Sequence, residues 1–391
     1  MSLEEGLKMM QPMSLPFTLM RGGTSKGVFL REGDVPADRA RLVPLILDLF
    51  GSPDRRQIDG MGGADKLTSK VAIIGKPIRS ETDLTYLFGQ VGVSAAEVDF
   101  KPNCGNLTSA VAMYAIQEGL VAPQEGVTTV RIHNINTDKI IHAEVQVRDG
   151  MPLVEGELEI GGVPGSGAPI GLDFSRAAGA TTGKLLPLGD PIVNLPVPGY
   201  GSIEVTVVDC ANLVVFVSAD SLGMIGTETP AQIDGDSALV ARINAIRKAV
   251  AHEVGLGEYW DSRVSPAIPF FVAVQKPTTY KKFTDGTQVH AESIDLVCRS
   301  YGTGSAAQAL ATTGTACTGA ACRIEGSIPS RYLARRAFSR ELIEIGHPSG
   351  VIGVEARVDE TSAGHTVHSA KILRTARRLA DGTVYLKRSG Y

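Results

Sequence analysis

The 391-residue chain is poor in aromatic residues, at 5%, with a single Trp. That is too few for the stacking platforms that hold single-stranded nucleic acid. It has no excess of either charge. Its 38 Lys and Arg against 42 Asp and Glu leave a formal net charge of −4, which argues against broad electrostatic binding to nucleic acid or an anionic membrane. No apolar run approaches the ~20 residues of a membrane span. The opening segment MSLEEGLKMMQPM carries acidic residues early and lacks a basic stretch followed by an apolar one, so it does not read as a secretory signal. The cysteines are Cys104, Cys210, Cys298, Cys317 and Cys322. Their odd number and irregular spacing fit a reducing compartment, and a cytoplasmic location is expected. GxGxxG after the first strand, HExxH, a CxxC pair, GxSxG and a Walker A loop are all missing. Neither a metal nor a dinucleotide is expected from the residues.

What is present is an ordinary globular composition, 43% hydrophobic and 20% charged. At ~100–200 residues per domain this length fits two domains. Short apolar segments bounded by Gly, Pro, Asp or Asn predict strands at 17–20, 27–31, 69–74, 84–91, 129–133, 140–147, 203–208, 213–217, 270–274, 294–298, 351–358 and 367–373. The 161–168 stretch, GGVPGSGA, reads as a loop, and the Pro/Gly-rich 186–201 as a domain boundary. The expected division is 14–188 and 189–382, with 383–391 returning to the first domain. Residues 238–254 carry Leu239, Ile243, Ile246, Val250 and Val254 at helical spacing, the pattern of a helix with one buried face. Residues 107–120 and 315–324 are apolar or small nearly all round, so each predicts a helix buried on every side. One such helix in each half suggests a duplicated unit, a sheet wrapped around a central helix.

Four stretches have the chemistry of a site. Arg21-Gly22-Gly23-Thr24-Ser25-Lys26-Gly27 lies between two strands; it is a hairpin turn whose backbone donors and hydroxyls can cradle an anion. Asp59-Gly60-Met61-Gly62-Gly63 leads through Thr68-Ser69-Lys70 into a strand. A lysine desolvated there would serve as a base, while the plainer reading is a solvated lysine at a strand start. Asn103-Cys104-Gly105-Asn106 precedes the first all-apolar helix. A thiol at a helix N-terminus is favoured as thiolate by the dipole and the backbone donors, and the asparagines can cap the helix or bind a carboxylate. A structural cysteine is an even alternative. Thr312-Thr313-Gly314 stands in the same place before the second such helix, as an anion-binding start or as ordinary threonine capping. Asp209-Cys210-Ala211-Asn212 and His347-Pro348-Ser349-Gly350 read as turns.

Taken in order, RGGTSKG, DGMGG with TSK, NCGN, TG and GHPSG resemble the PrpF family of 2-methylaconitate cis–trans isomerases, with methylitaconate Δ-isomerase and 4-oxalomesaconate tautomerase. The likeness runs from Phe17 to Tyr391. It implies an α+β fold similar to diaminopimelate epimerase: two pseudo-symmetric domains, each a β-sheet around a central helix, with the site between them. It implies no cofactor, a small polycarboxylate partner and no nucleic acid or membrane, and leaves a homo-oligomer open. On this resemblance Lys70 and Cys104 flank the substrate as catalytic residues. Its carboxylates are expected on Arg21, Gly22, Gly23, Thr24, Ser25, Met61, Asn103, Gly105, Asn106, Asn212, Arg299, Thr313, Gly314, His347, Ser349 and Gly350. Where diaminopimelate epimerases carry a second thiol this chain has Thr313. Where close relatives often carry a histidine it reads Ala306-Ala307-Gln308, which implies a different substrate preference.

The expected function is therefore a cofactor-free isomerase of an unsaturated di- or tricarboxylate. Two alternatives stay open: an amino-acid epimerase of the same fold, and a non-catalytic carboxylate-binding protein that would need only the anion loops.

Overall fold

A computed structural model describes residues 13–361 and 364–387. The opening segment and 388–391 of the expected return stretch lie outside the described residues. The main strands are β1 (Ser14–Gly22), β2 (Ser25–Arg31), β3 (Lys70–Gly75), β4 (Leu84–Val91), β5 (Gly126–Asn134), β6 (Lys139–Arg148) and β7 (Ile170–Asp173) in the first half. In the second they are β8 (Val193–Val197), β9 (Gly201–Cys210), β10 (Asn212–Ser218), β11 (Phe270–Gln275), β12 (Leu296–Gly302), β13 (Leu342–His347), β14 (Gly350–Thr361) and β15 (Gly364–Arg374). A last strand, β16 (Ala376–Tyr385), follows. The principal helices are α1 (Arg39–Phe50), α2 (Gly105–Gln117), α3 (Ser237–Glu253) and α4 (Thr312–Cys322).

The pairing order repeats. From β1 to β7 neighbours pair antiparallel, parallel, antiparallel, parallel, antiparallel, antiparallel. From β9 to β15 the same order recurs. Parallel neighbours need a crossover, and the helices supply it: α1 and α3 in the first crossover of each half, α2 and α4 in the second. The two halves join where Ile170 of β7 pairs with Arg374 of β15. The chain then crosses at Thr375, and β16 runs antiparallel to β1 from Ala376 opposite Gly22 to Tyr385 opposite Ser14. The return thus begins at 376 and not at 383. Asp381 and Gly382 continue the ladder opposite Thr18 and Phe17.

The central strands of each half, β2 to β4 and β10 to β11, are covered on both faces. Along β3, Ala72 and Ile74 face the core that contains α2, while Val71 and Ile73 pack with Leu42, Leu45, Ile46, Leu49 and Phe50 of α1. In the second half α3 covers the outer face with Ile243, Ile246 and Val250, against Val215, Val217 and Phe271. Such double coverage explains the nearly continuous apolar runs of these strands. From Gly105 to Ile116 α2 is buried, and α4 is buried throughout. Helix α1 escapes the sequence reading because Pro44 looks like a breaker. It is held by the Asp38 cap, which accepts from Ala40 N, by its buried stripe, and by Gly51 at φ 67° where it ends.

Candidate active site

Side chains alternate across a strand, so Lys70 shares the inward face of Ala72 and Ile74 and points toward the start of α2. Its cross-strand partner is Gln90. Lys70 Nζ donates to Gln90 Oε1 at 2.5 Å and stands 5.1 Å from the Phe88 ring centre. Gln90 is fixed in turn by donating to the carbonyls of Lys66 and Ser69. Lys70 is 7% exposed and forms no ion pair among the described residues.

A cavity of about 400 Å³ lies between the halves. Lys70, Cys104, Thr24 and Ser25 line it from the first half, with Asn103, Gly105 and Asn106; Thr312, Thr313 and Gln308 line it from the second. Cys104 caps α2 with its backbone, and its thiol makes no capping bond. Ala311 caps α4 without a side-chain bond either. Two helix N-termini with free backbone donors therefore open on one space. Such a pair of helix starts suits anionic groups, because the unsatisfied N–H groups and the dipoles both favour negative charge. Asn103 adds a buried, unpartnered Nδ2, while its Oδ1 accepts from Asn134. Tyr86 lies beneath Cys104 with an unpartnered hydroxyl, and burial raises its pKa well above the usual value.

The helix starts are tied together. Asn106 Nδ2 donates to Thr24 Oγ1 at 2.9 Å and to Ser25 Oγ at 3.3 Å. Its Oδ1 accepts from Thr312 Oγ1 at 2.5 Å and from Arg374 Nε at 3.2 Å. Arg374 also donates to Thr312 Oγ1 at 2.8 Å. Asn212 does not line the cavity but donates to Thr313 Oγ1 at 3.3 Å. Gly314 lies in the first turn of α4.

Other expected residues are placed differently. Arg21 Nη1 is spent on the Gly23 carbonyl and on Thr375. Gly22 and Gly23 serve close approach, since a Cβ on either would meet the Asn106 backbone or side-chain oxygen at 2.3 Å. Met61 packs with the α1 cluster. Arg299 donates to the Glu228 and Cys298 carbonyls and stacks 4.8 Å from the Tyr280 ring. It stands in β12, buried, and does not line the cavity. Ser349 donates to the Gln308 carbonyl and Gly350 turns the β13–β14 hairpin at φ 143°. His347 faces a separate cavity.

Lys66, Gln90 and Arg374 escape the sequence reading. Lys66 reaches across to the second half, donating to Ser305 Oγ at 2.5 Å, and burial lowers its pKa to about 8. A second lysine so close to Lys70 in the same glycine-rich stretch was its only signal. Arg374 had none, because its place at the seam is a matter of topology.

Among the described residues no helix is long and apolar enough to cross a membrane. The family model described as PrpF protein matches residues 12–387. The 3-methylitaconate isomerase of Eubacterium barkeri is 43% identical over 97% of this chain and 99% of its own length. The 2-methyl-aconitate isomerase of Shewanella oneidensis is 37% identical over 94% and 95%. The crystal structure of methylitaconate-delta-isomerase superposes with a TM-score of 0.81 at 43% identity, covering 96% of each chain. A hydroxyproline epimerase from Agrobacterium vitis shares the fold alone, with a TM-score of 0.55 at 11% identity over 96% of this chain and 93% of that one. With its duplicated epimerase-like architecture and this likeness along nearly its whole length, the chain belongs to the PrpF family and is an isomerase.

Proposed function

We propose that the reaction moves or rotates the C=C bond of an unsaturated di- or tricarboxylate, with Lys70 and Cys104 as the two proton carriers. The observation that carries this reading is that Lys70 and Cys104 line the same cavity as the free N-termini of α2 and α4. Lys70, as the free amine, takes an allylic proton from carbon. The electron pair left behind spreads through the C=C bond into the conjugated carboxylate, giving a dienolate. The amides at Gly105, Asn106, Thr312 and Thr313 stabilise that charge. The Cys104 thiol returns a proton to the far carbon of the allyl system, and the double bond has moved. Rotation in the intermediate followed by return of the proton to the original carbon gives the cis–trans outcome instead. Lys70 ammonium and Cys104 thiolate then exchange protons with water to restore the starting state.

The names of the relatives support substrates of the methylitaconate and methylaconitate kind. An epimerase with two matching thiols is disfavoured, because Thr312 and Thr313 stand opposite Cys104. The test is to incubate the enzyme with methylitaconate, methylaconitate, aconitate and oxalomesaconate in deuterium oxide and read the products by NMR. One acid should isomerise with deuterium at an allylic carbon. Binding without turnover of any of them would overturn this choice of substrate class.

A further inference from the structure

A second cavity, of about 320 Å³, backs onto the first and shares Thr24 and Ala309 with it. Its floor is formed by two buried side chains, Arg374 at 4% and His347 at 2% exposure. Arg374 uses Nε on Asn106 and Thr312 and Nη1 on the Leu373 carbonyl. Its Nη2 has no hydrogen-bond partner, and no carboxylate offsets its charge among the described residues. Burial alone pulls its pKa down to about 9, so it stays a cation at neutral pH. His347 Nδ1 accepts from Ser349 N at 3.2 Å, which leaves the proton on Nε2. Among the described residues that Nε2–H also lacks a partner, and Gly161 lies directly beside the ring in the cavity wall. Burial with the nearby cations Arg374, Arg299 and Lys282 lowers His347 to about 3, so it is a neutral donor.

Two buried donors, one of them charged, converge on a space whose walls include Leu310 and Ile352. The rim is mainly acidic: Glu159 and Glu355 are exposed there beside Glu344, and the one lysine of the lining, Lys371, is paired with Glu144. We propose that this cavity is a binding site for a small monocarboxylate, held through Arg374 Nη2 and His347 Nε2–H, separate from the reaction cavity. One carboxylate satisfies both donors in the charge-assisted geometry that arginine favours. A second or third carboxylate on the same ligand would meet the glutamates of the rim, so the polycarboxylates of the first cavity are repelled here. Because Arg374 Nε holds Asn106 and Thr312, ligand on one side of the guanidinium bears on both helix starts on the other side.

The full-length protein is tested by saturation-transfer NMR with propionate as probe, in the presence of saturating tricarballylate to fill the reaction cavity. Propionate should receive saturation, and tricarballylate should not displace it. Gly161→Ala places a methyl 3.0 Å from His347 Cε1 and 3.3 Å from Nε2, where the carboxylate would lie. Arg374→Met removes the charge at similar length. Each should weaken propionate by at least about tenfold, the worth of one charged hydrogen bond. Displacement by tricarballylate, absence of transfer, or wild-type binding by Gly161→Ala would each overturn the proposal. Gly161→Ala decides it even if Arg374→Met fails to fold.

Discussion

Asn106, the second residue of one central helix, accepts a hydrogen bond at 2.5 Å from Thr312, the first residue of the other. The two halves of the molecule thus meet in a side-chain bond between the N-termini that open on the candidate active site. Both residues are buried, so the bond fixes how the two helix starts face one another.

Thr312→Val keeps the shape of that side chain and removes its hydroxyl. The Asn106 oxygen would retain only Arg374, and Arg374 Nε would lose its nearer acceptor. We expect a stability loss of about 1–3 kcal/mol from these buried polar groups, read as a lower urea midpoint, together with reduced turnover. Unchanged midpoint and turnover would show that the tie between the helices is dispensable.

Lys70→Ala and Cys104→Ala should each lower turnover by at least ~10²-fold, the low end for a lost general acid or base, while circular dichroism and melting show a folded protein. Cys317→Ala and Cys322→Ala are the controls. Both sulfurs are buried inside α4, so a stability loss of about 1 kcal/mol with activity retained is expected. Near-normal turnover of Cys104→Ala would make its thiol a structural group.

Cys104 should be the first thiol alkylated by iodoacetamide at neutral pH. It is 8% exposed and lines the cavity, whereas the other four are at 0–1%. Burial pushes Cys210 and Cys322 up to about 12 and Cys298 and Cys317 well above their usual value, which suppresses the reactive thiolate. Peptide mass mapping with and without trans-aconitate should show protection of Cys104. Earlier labelling of Cys210 or Cys298 would contradict this placement of the site.

The pH dependence of stability should contain a contribution from His347. Its pKa falls from 6.5 to about 3 on folding. Between those values the unfolded chain holds a proton that the folded chain does not. Stability therefore rises with pH across that window and is lost as pH falls from 6.5 toward 3. His347→Gln removes this group, so its stability should fall less steeply in acid, by up to ~1.4 kcal/mol per pH unit. Parallel urea-midpoint profiles of the two proteins between pH 6.5 and 4 would refute the assignment.

The all-apolar stretches that became α2 and α4, the alternation and punctuation of most strands, and the stretch around Cys104 were legible because they depend on local chain chemistry. Periodicity shows how much of a helix is buried, and a break before it shows where its free donors lie. Lys70 opens an apolar strand behind a glycine-rich loop, a pattern that by itself reads first as a solvated lysine; only the family resemblance singled it out. The sequence could not say which arginine reaches the site. Arg299, near the second helix in sequence, turned into the protein to satisfy carbonyls, while Arg374 arrived from 268 positions beyond Asn106. The reason is the seam: β7 and β15, one from each half, pair across about 200 positions of chain, and that long-range pairing places the guanidinium between the two helix starts. The turn at His347 was read correctly, but its neighbours across the second cavity come from Gly161 and Arg374, far apart in the chain. Short-range pattern determined which elements exist and which residues could do chemistry; the packing of one half against the other decided which of them share a space.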